Sequence, residues 1–495
     1  MRWWARFGGS LSRTVNRSAL LFSVLAAVLG TLALLGVTWW LLWRLLGAQA
    51  ETPSRVELTK IALALAAGIG GAVALVVAYR RQRDLERGRF ADLFGAAAKQ
   101  LGDSDVAVRI AGVYAMAGVA DEFSAVGRRQ QCVDVLCGYL RLPYAPDEGV
   151  SHLVSKSQRI EDSGTAVERV YHFRQNDRQV RETIVRVIAD RLRRTAQTSW
   201  STCDFDFSDA TFENADFSDA VFAGRSTRFS NAGFTGSRVT SFERARFLGA
   251  RVTFRGAMFR GSETTFEHAR FAHTHIAAAE RDSAGTTFID ATFGGSVTFD
   301  NAVFGGGRTA FTRARFAGER TGFAGARFAA DLTSFERAMF DGDRVTFTSA
   351  EFTGARTSFI ATRFFAEATA FDCAQLGAKT RFRAGRTREV SFARAELHGK
   401  ISFADAVLGG RAVVFNGGDF FGEISFRRAV FEARDISFER PKAWVGVQVD
   451  WAGTPGAKPA NVRPEQWPPP LADTPPAVTA GKDAVKEKAG ADSAG

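Results

Sequence analysis

Only four cysteines occur in 495 residues: Cys132, Cys137, Cys203 and Cys373, with no C-x-x-C pair among them. That excludes a secreted disulfide framework, leaves no cysteine zinc site at a diagnostic interval, and makes a reducing compartment the simpler setting. The short motifs that carry chemistry are missing too: there is no phosphate-cradling P-loop, no G-x-S-x-G elbow and no H-E-x-x-H helix. No catalytic, cofactor-binding or metal-binding residue is therefore assigned, and an enzyme is not expected. Lysine is scarce, with ten among the 64 basic residues. Acid is also in deficit, 53 residues against those 64, for a net charge of +11. The excess base lies in residues 1–200, while the region 201–440 is near neutral.

Phenylalanine is what the chain has in abundance. Of 44 phenylalanines, 38 fall between Phe205 and Phe438, mostly at alternating intervals of five and seven, as in Phe299, Phe304, Phe311, Phe316, Phe323 and Phe328. The unit reads roughly (Ser/Thr)-Phe-x-x-Ala-x-Phe-x-Gly-x-x-x. On a helix a five-residue step turns about 140° and a twelve-residue step about 120°, which would scatter these rings around the axis. On an unbroken strand, a step of five would send alternate rings to opposite faces. What remains is very short strands broken by turns, each returning a ring to one shared interior, because so short a repeat cannot bury its own apolar face. Ala two residues before the second Phe (Ala245, Ala257, Ala269, Ala314, Ala326, Ala338, Ala350) is expected to point inward, and Gly two residues after it (Gly249, Gly318, Gly342, Gly354) to supply a positive-φ turn. Leu376, Leu397 and Leu408 take ring slots, a swap that a core site tolerates.

Residues 201–222 carry a purer beat, with Phe207, Phe212, Phe217 and Phe222 five apart. Ala215-Asp216-Phe217-Ser218-Asp219 resembles the A-(D/N)-(L/F)-x-x unit of pentapeptide-repeat proteins. The resemblance implies a right-handed quadrilateral β-helix with the central Leu or Phe stacked inside. Two extra residues in alternate units predict coils of about 24 residues, roughly ten in all at the ~4.8 Å strand spacing.

Ahead of the repeat the pattern differs. Leu20 to Trp43 and Ile61 to Tyr79 are uncharged, each long enough to cross a hydrocarbon core of about 30 Å. Trp39, Trp40 and Trp43 suit an interfacial belt, and Gly68, Gly70 and Gly71 a close helix pair. A cleaved signal peptide ending at Ala48-Gln49-Ala50 is the competing reading, weakened by the length of the run and by Arg44. Arginines before the first span and after the second outnumber the basic residues between them, which puts both termini in the cytoplasm and a short loop outside. Residues 81–198 read as helical, with stripes at Val106, Ile110, Val113 and Ala117, at Val133, Leu136, Cys137 and Leu140, and at Val180, Ile184, Val187, Ile188 and Leu192. Gln100 through Met116 resembles the opening of a HEAT or armadillo-like hairpin, and Asp84 through Pro143 resembles the helical region ahead of the repeats in bacterial membrane-anchored pentapeptide-repeat proteins.

The expected organisation is thus an α+β multidomain chain. It comprises a basic cytoplasmic arm (1–18), two transmembrane helices (19–80), a small all-α, HEAT-like adaptor (81–198), the β-helix with a cap at Val445, Val447, Val449 and Trp451 (199–452), and a Pro/Ala/Lys-rich disordered tail (453–495). Three features invite a functional reading. Arg246, Arg270, Arg315, Arg327 and Arg363 precede an inward Phe and so point outward. They form either an anion-binding row or, with Glu243 and Glu267 three residues earlier, a charge-paired face. Arg381, Arg383, Arg386 and Arg388 sit where the beat slips, in an irregular basic coil or a surface defect. His268, His273 and His275 flank a degenerate coil at 276–286, and no third metal ligand accompanies the H-x-H. The chain is read as a non-enzymatic scaffold of the inner membrane, integral with two spans, that offers a β-helical surface to protein partners in the cytoplasm, with no cofactor. The alternatives are a DNA-mimicking, topoisomerase-interacting protein, for which the repeat lacks the acidity, and a membrane signalling receptor, for which the outer loop is short. Nucleic acid is not an expected partner.

Overall fold

The computed structural model describes residues 55–123, 125–146, 155–162, 165–172, 176–273, 284–377 and 389–472, together with Val37, Trp40 and Arg44. Two compact units divide the chain, Met1–Leu93 and Phe94–Gly495. Among the described residues four helices with assigned bounds precede the repeat: α1 (Arg55–Leu101), α2 (Val106–Glu122), α3 (Val126–Leu140) and α4 (Asp177–Leu192). The apolar stripes read from sequence face the core: Val113, Ala117, Val133, Leu136, Leu140, Val180, Ile184, Ile188 and Leu192 are buried. Asp105 caps α2, its Oδ1 accepting the Ala107 N–H at 2.7 Å.

The region is not all-α, which corrects the HEAT-like expectation. Strands β1 (Ser155–Asp162) and β2 (Thr165–His172) pair antiparallel between α3 and α4. Ser163-Gly164 lies between the strands in sequence, a two-residue pair of the kind that closes a hairpin, and Thr165, Val167, Val170 and Tyr171 are β-branched or aromatic residues that favour strand over helix.

Among the described residues no helix is long and apolar enough to cross a membrane. The expected first span, Leu20 to Trp43, lies outside the described residues except for Val37 and Trp40. The expected second span, Ile61 to Tyr79, runs within α1, where Leu75, Val76, Val77 and Tyr79 are exposed.

From Phe205 the chain winds into a parallel β-solenoid of ten coils. Most of its strands are two or three residues long, and they assemble into sheets of 11, 16 and 9 strands. The 16-stranded sheet occupies two faces. It climbs one through Thr211–Glu213 to Arg363–Phe364, turns the corner in the seven-residue strand Glu396–Ser402, and returns down another through Ala368–Ala370 to Thr240–Ser241. Four faces therefore enclose the core. Ten rings, from Phe207 through Phe229, Phe254, Phe288 and onward to Phe438, stack one above another with centroids 4.6–5.0 Å apart. Three further columns begin at Phe212, Phe217 and Phe222, and Leu397, Leu376 and Leu408 continue two of them. Between columns the rings meet edge to face, as Phe254 and Phe266 do at 5.6 Å and 89°. Each ring thus stacks along its column and makes edge contacts across it, about 0.5–1.5 kcal/mol per pair beyond simple burial.

The inward alanines are as expected, with Ala245, Ala257, Ala269, Ala314, Ala326, Ala338 and Ala350 fully buried. The turn residue is not. Positive φ falls two residues after the first Phe of each unit, at Asp219, Arg244, Asp290, Asn301, Arg313, Arg337 and their equivalents, whereas Gly249, Gly318, Gly342 and Gly354 have ordinary backbone angles. These glycines are needed for room instead: a Cβ on Gly342 would stand 1.9 Å from the Gly318 carbonyl oxygen of the coil below.

The repeat also holds an inward column that the Phe beat conceals. Thr227, Thr286, Thr309, Thr333 and Thr357, each two residues before a Phe, are buried on the 11-stranded sheet. The two irregular stretches are insertions rather than degenerate coils. Phe254 stacks directly on Phe288 at 4.7 Å and Phe359 on Phe392 at 4.6 Å, so the core runs unbroken past 274–283 and 378–388.

Both ends of the solenoid are closed. At the start, the Gln130 amide of α3 donates to the Asp204 carbonyl (2.7 Å) and accepts its N–H (2.8 Å), replacing the strand that a preceding coil would supply. Trp200 is buried and donates to Asp121 at 2.8 Å. At the far end, Val462–Arg463 pairs with Ile436–Ser437, and Trp467 packs edge-on against Phe438 and Trp444. Structure therefore continues through Ala472, twenty residues past the expected cap, because Val462 and Trp467 bury apolar surface in a segment otherwise rich in Pro and Ala. Residues 473–495 lie outside the described residues.

Candidate interaction surface

With the interior filled by rings, alanine and threonine, chemistry is confined to outward columns, and these are built largely from ion pairs one coil apart. Arg244 forks onto Asp219 at 2.8 and 2.9 Å, Arg313 onto Asp290 at 2.6 and 2.7 Å, and Arg428 onto Asp405 at 2.9 Å through both nitrogens. Each arginine holds its partner's carboxyl below the usual carboxylate range, chiefly through the hydrogen bond. A planar guanidinium suits this two-point pairing and an ammonium does not, which accounts for the preference for arginine over lysine. These pairs are half exposed, so each adds little to stability.

The five arginines that precede inward rings do not share a row. Arg246, Arg270 and Arg327 lie on the 9-stranded sheet, and Arg315 and Arg363 on the 16-stranded one. Three have acidic partners: Arg315 with Asp341 (3.0 Å), Arg327 with Glu351 (2.7 Å) and Arg363 with Glu396 (3.2 Å). The other two, Arg246 and Arg270, are register neighbours on adjacent strands. The expectation that Glu243 and Glu267 neutralise them is not met: Glu243 pairs with Arg244, and Glu267 lies 3.5 Å from His268. A corner intervenes, since the positive-φ residue at 244 or 268 turns the chain between the glutamate and the arginine. Among the described residues neither Arg246 nor Arg270 has an acidic partner, and the Arg246 Nε is buried without a hydrogen bond. Two like charges directly opposite on neighbouring strands repel, and a bound anion would relieve that repulsion.

Arg381, Arg383, Arg386 and Arg388 lie outside the described residues, as does His275. His273 is a core residue, its Nδ1 2.6 Å from the Gly249 carbonyl and its Nε2 2.9 Å from the Thr286 hydroxyl. Because a carbonyl only accepts, the proton sits on Nδ1, and Nε2 accepts from Thr286. Burial pushes this imidazole below its ordinary value. No group of three potential metal-ligating side chains occurs among the described residues. Cys132 and Cys203 are buried thiols, each pushed up to about 11 by desolvation.

Sequence reasoning missed two features of this surface. One is the corner ladder of arginine and aspartate, signalled by Asp or Arg two residues after the first Phe at intervals near 24. The other is an outward aromatic column in which Phe365 and Phe421 are exposed and His398 lies half-buried between them. No protein-family model, curated protein or solved structure matches this chain.

Proposed function

We propose that this chain is a non-enzymatic scaffold of the pentapeptide-repeat type, its solenoid right-handed, held at the inner membrane by two spans with both termini in the cytoplasm. The observation that carries this reading is the continuity of the four ring columns. Among the described residues the solenoid's interior is filled by these columns and by alanine and threonine, which supports a role carried by outward side chains fixed at regular spacing. The apolar runs at Leu20 to Trp43 and Ile61 to Tyr79 and the arginines flanking them support the anchor. A covalent tether raises the local concentration of the solenoid for other membrane-associated partners. Within the surface, Arg246 and Arg270 are the contact point for an acidic group on such a partner.

The anchor is tested by deleting residues 1–80 and fractionating cells; the truncated chain should move from the membrane pellet to the supernatant, and an unchanged pellet refutes the anchor. Proximity labelling in the native host, with and without residues 201–440, tests presentation. Partners that depend on the solenoid should vanish with it and should weaken when Arg246→Glu and Arg270→Glu are combined. The DNA-mimic alternative draws no support from this surface, where Asp219, Asp290 and Asp405 are each taken up by an arginine.

A further inference from the structure

In a solenoid whose rings are almost all fully buried, two phenylalanines are turned outward: Phe365 is 42% exposed and Phe421 58%. They are not scattered. His398 and Phe421 are register partners on adjacent strands, Phe421 pairs with Val445 on the next, and Phe365 directly follows the Phe364 that pairs with Leu397. The rings make contact along the column, Phe365 to His398 at 5.2 Å and His398 to Phe421 at 5.9 Å, and Val445, also half exposed, completes a strip over four successive coils. The same column holds Thr235, Arg260, Gly294, Ala317 and Asp341 in earlier coils, so the apolar strip is confined to the C-terminal coils. A contiguous apolar line turned to solvent is a surface on which a partner segment can dock.

We propose that the strip is a docking site for this chain's own C-terminal segment, residues 473–480. The described chain ends at its upper rim: the Ala472 N–H donates to the Pro441 carbonyl at 2.8 Å, two residues before the strand Ala443–Gln448 that carries Val445. The next residues are Asp473-Thr474-Pro475-Pro476-Ala477-Val478-Thr479-Ala480. About three extended residues, at ~3.3 Å each, cover the distance from the Pro441 carbonyl to Val445. The remaining three coils span about 14 Å at the ~4.8 Å strand spacing, which five residues of polyproline II cover at ~3.1 Å each. Pro475, Pro476 and Val478 supply the apolar faces that such a segment lays on aromatic rings, at low entropic cost because proline is already extended. The segment runs from Val445 back towards Phe365, with Pro476 over Phe421.

Disulfide trapping in the full chain tests this. In a Cys373→Ser background, which removes the exposed native thiol, Phe421→Cys and Pro476→Cys are combined, mildly oxidised at low protein concentration, and mapped by tryptic mass spectrometry. The expected result is an intramolecular disulfide at least tenfold more abundant than with Glu432→Cys and Pro476→Cys, whose first cysteine stands on another face of the solenoid near the same end. A bridge between two molecules would overturn the proposal in favour of a second copy on the strip. Equal yields from both pairs, or none from either, would overturn it as well. A synthetic peptide of residues 471–482 added to a chain ending at Ala472 should quench an environment-sensitive dye attached at Lys400→Cys, again with Cys373→Ser. That quenching should be lost when Phe365→Ser and Phe421→Ser are added; quenching that survives those changes would refute the strip as the site.

Discussion

A single carbonyl contact decides what Gly342 is for. The Gly318 oxygen would lie 1.9 Å from any Cβ there, and Gly318 stands in the same relation to Gly295, at 2.0 Å. Gly342→Ala forces two coils apart and should cost on the order of 2–4 kcal/mol, as overpacking in a rigid core does; a denaturant midpoint equal to that of the parent would contradict the argument. By contrast, Arg337→Gly relaxes a positive φ (56°) at an exposed corner and should be neutral or mildly stabilising in the same assay. The sequence made the special status of this Gly column visible but not its cause, since a glycine kept for φ and one kept for space look alike in one dimension. His273 gives a second residue-scale test. Its folded-state value lies below the ~6.5 of the unfolded chain, so the unfolded state takes up the proton first on acidification. Its contribution is therefore complete above about pH 6.5 and declines as pH falls through and below that value. His273→Gln should flatten the dependence of the thermal midpoint on pH between 5 and 6.5.

At the scale of the element, the rings act as columns and the columns need ends. Phe323 touches stacked neighbours above and below at 4.9 and 4.8 Å and meets Phe335 edge-on at 5.7 Å. Phe323→Ala should lose about 3–5 kcal/mol, whereas Phe323→Leu should lose less than about 1.5 kcal/mol, the substitution the chain itself makes at Leu376, Leu397 and Leu408. Paired urea melts would show whether the ratio holds. The start of the solenoid depends on Gln130, whose amide stands in for a missing strand; Gln130→Ala leaves the Asp204 N–H and carbonyl unpaired and should raise hydrogen exchange in the first coil while leaving the last unchanged. The columns were legible because a buried aromatic repeats at an interval that only a broken strand can satisfy. The start cap was not, because one glutamine in a helical stretch carries no period. The adaptor's hairpin was missed for a related reason: two eight-residue strands between strong helical stripes are easily absorbed into them. The candidate site was half legible, since outward arginines follow directly from inward rings. Which of them find acids depends on the corner at 244 and 268, and a linear spacing of three residues conceals that corner.

At the scale of the whole molecule, a solenoid whose coils bond only to their neighbours behaves as a one-dimensional stack, and this gives its architecture a test independent of any partner. Phe335 and Phe359 occupy equivalent positions, stacked at 4.8 Å with parallel rings. Excising residues 335–358 therefore joins Ser334 to Phe359 just as Ser334 joins Phe335; the ring columns, the three Arg–Asp corner pairs and both caps are retained one coil shorter, and of the described ion pairs only Arg315–Asp341 and Arg327–Glu351 are lost. The shortened chain should fold, keep its β-type circular dichroism, and lose only a modest part of its thermal stability. Excising only residues 335–337 removes a fraction of a coil and sends Phe340, Phe347, Phe352 and Phe359 to the exposed positions of Arg337, Arg344, Ser349 and Arg356. That chain should aggregate or unfold. If both deletions behave alike, stability resides somewhere other than in the vertical register of the rings; if only the 24-residue loss is tolerated, the solenoid is a ruler whose length can vary while its outward spacing stays fixed, as a presenting surface requires.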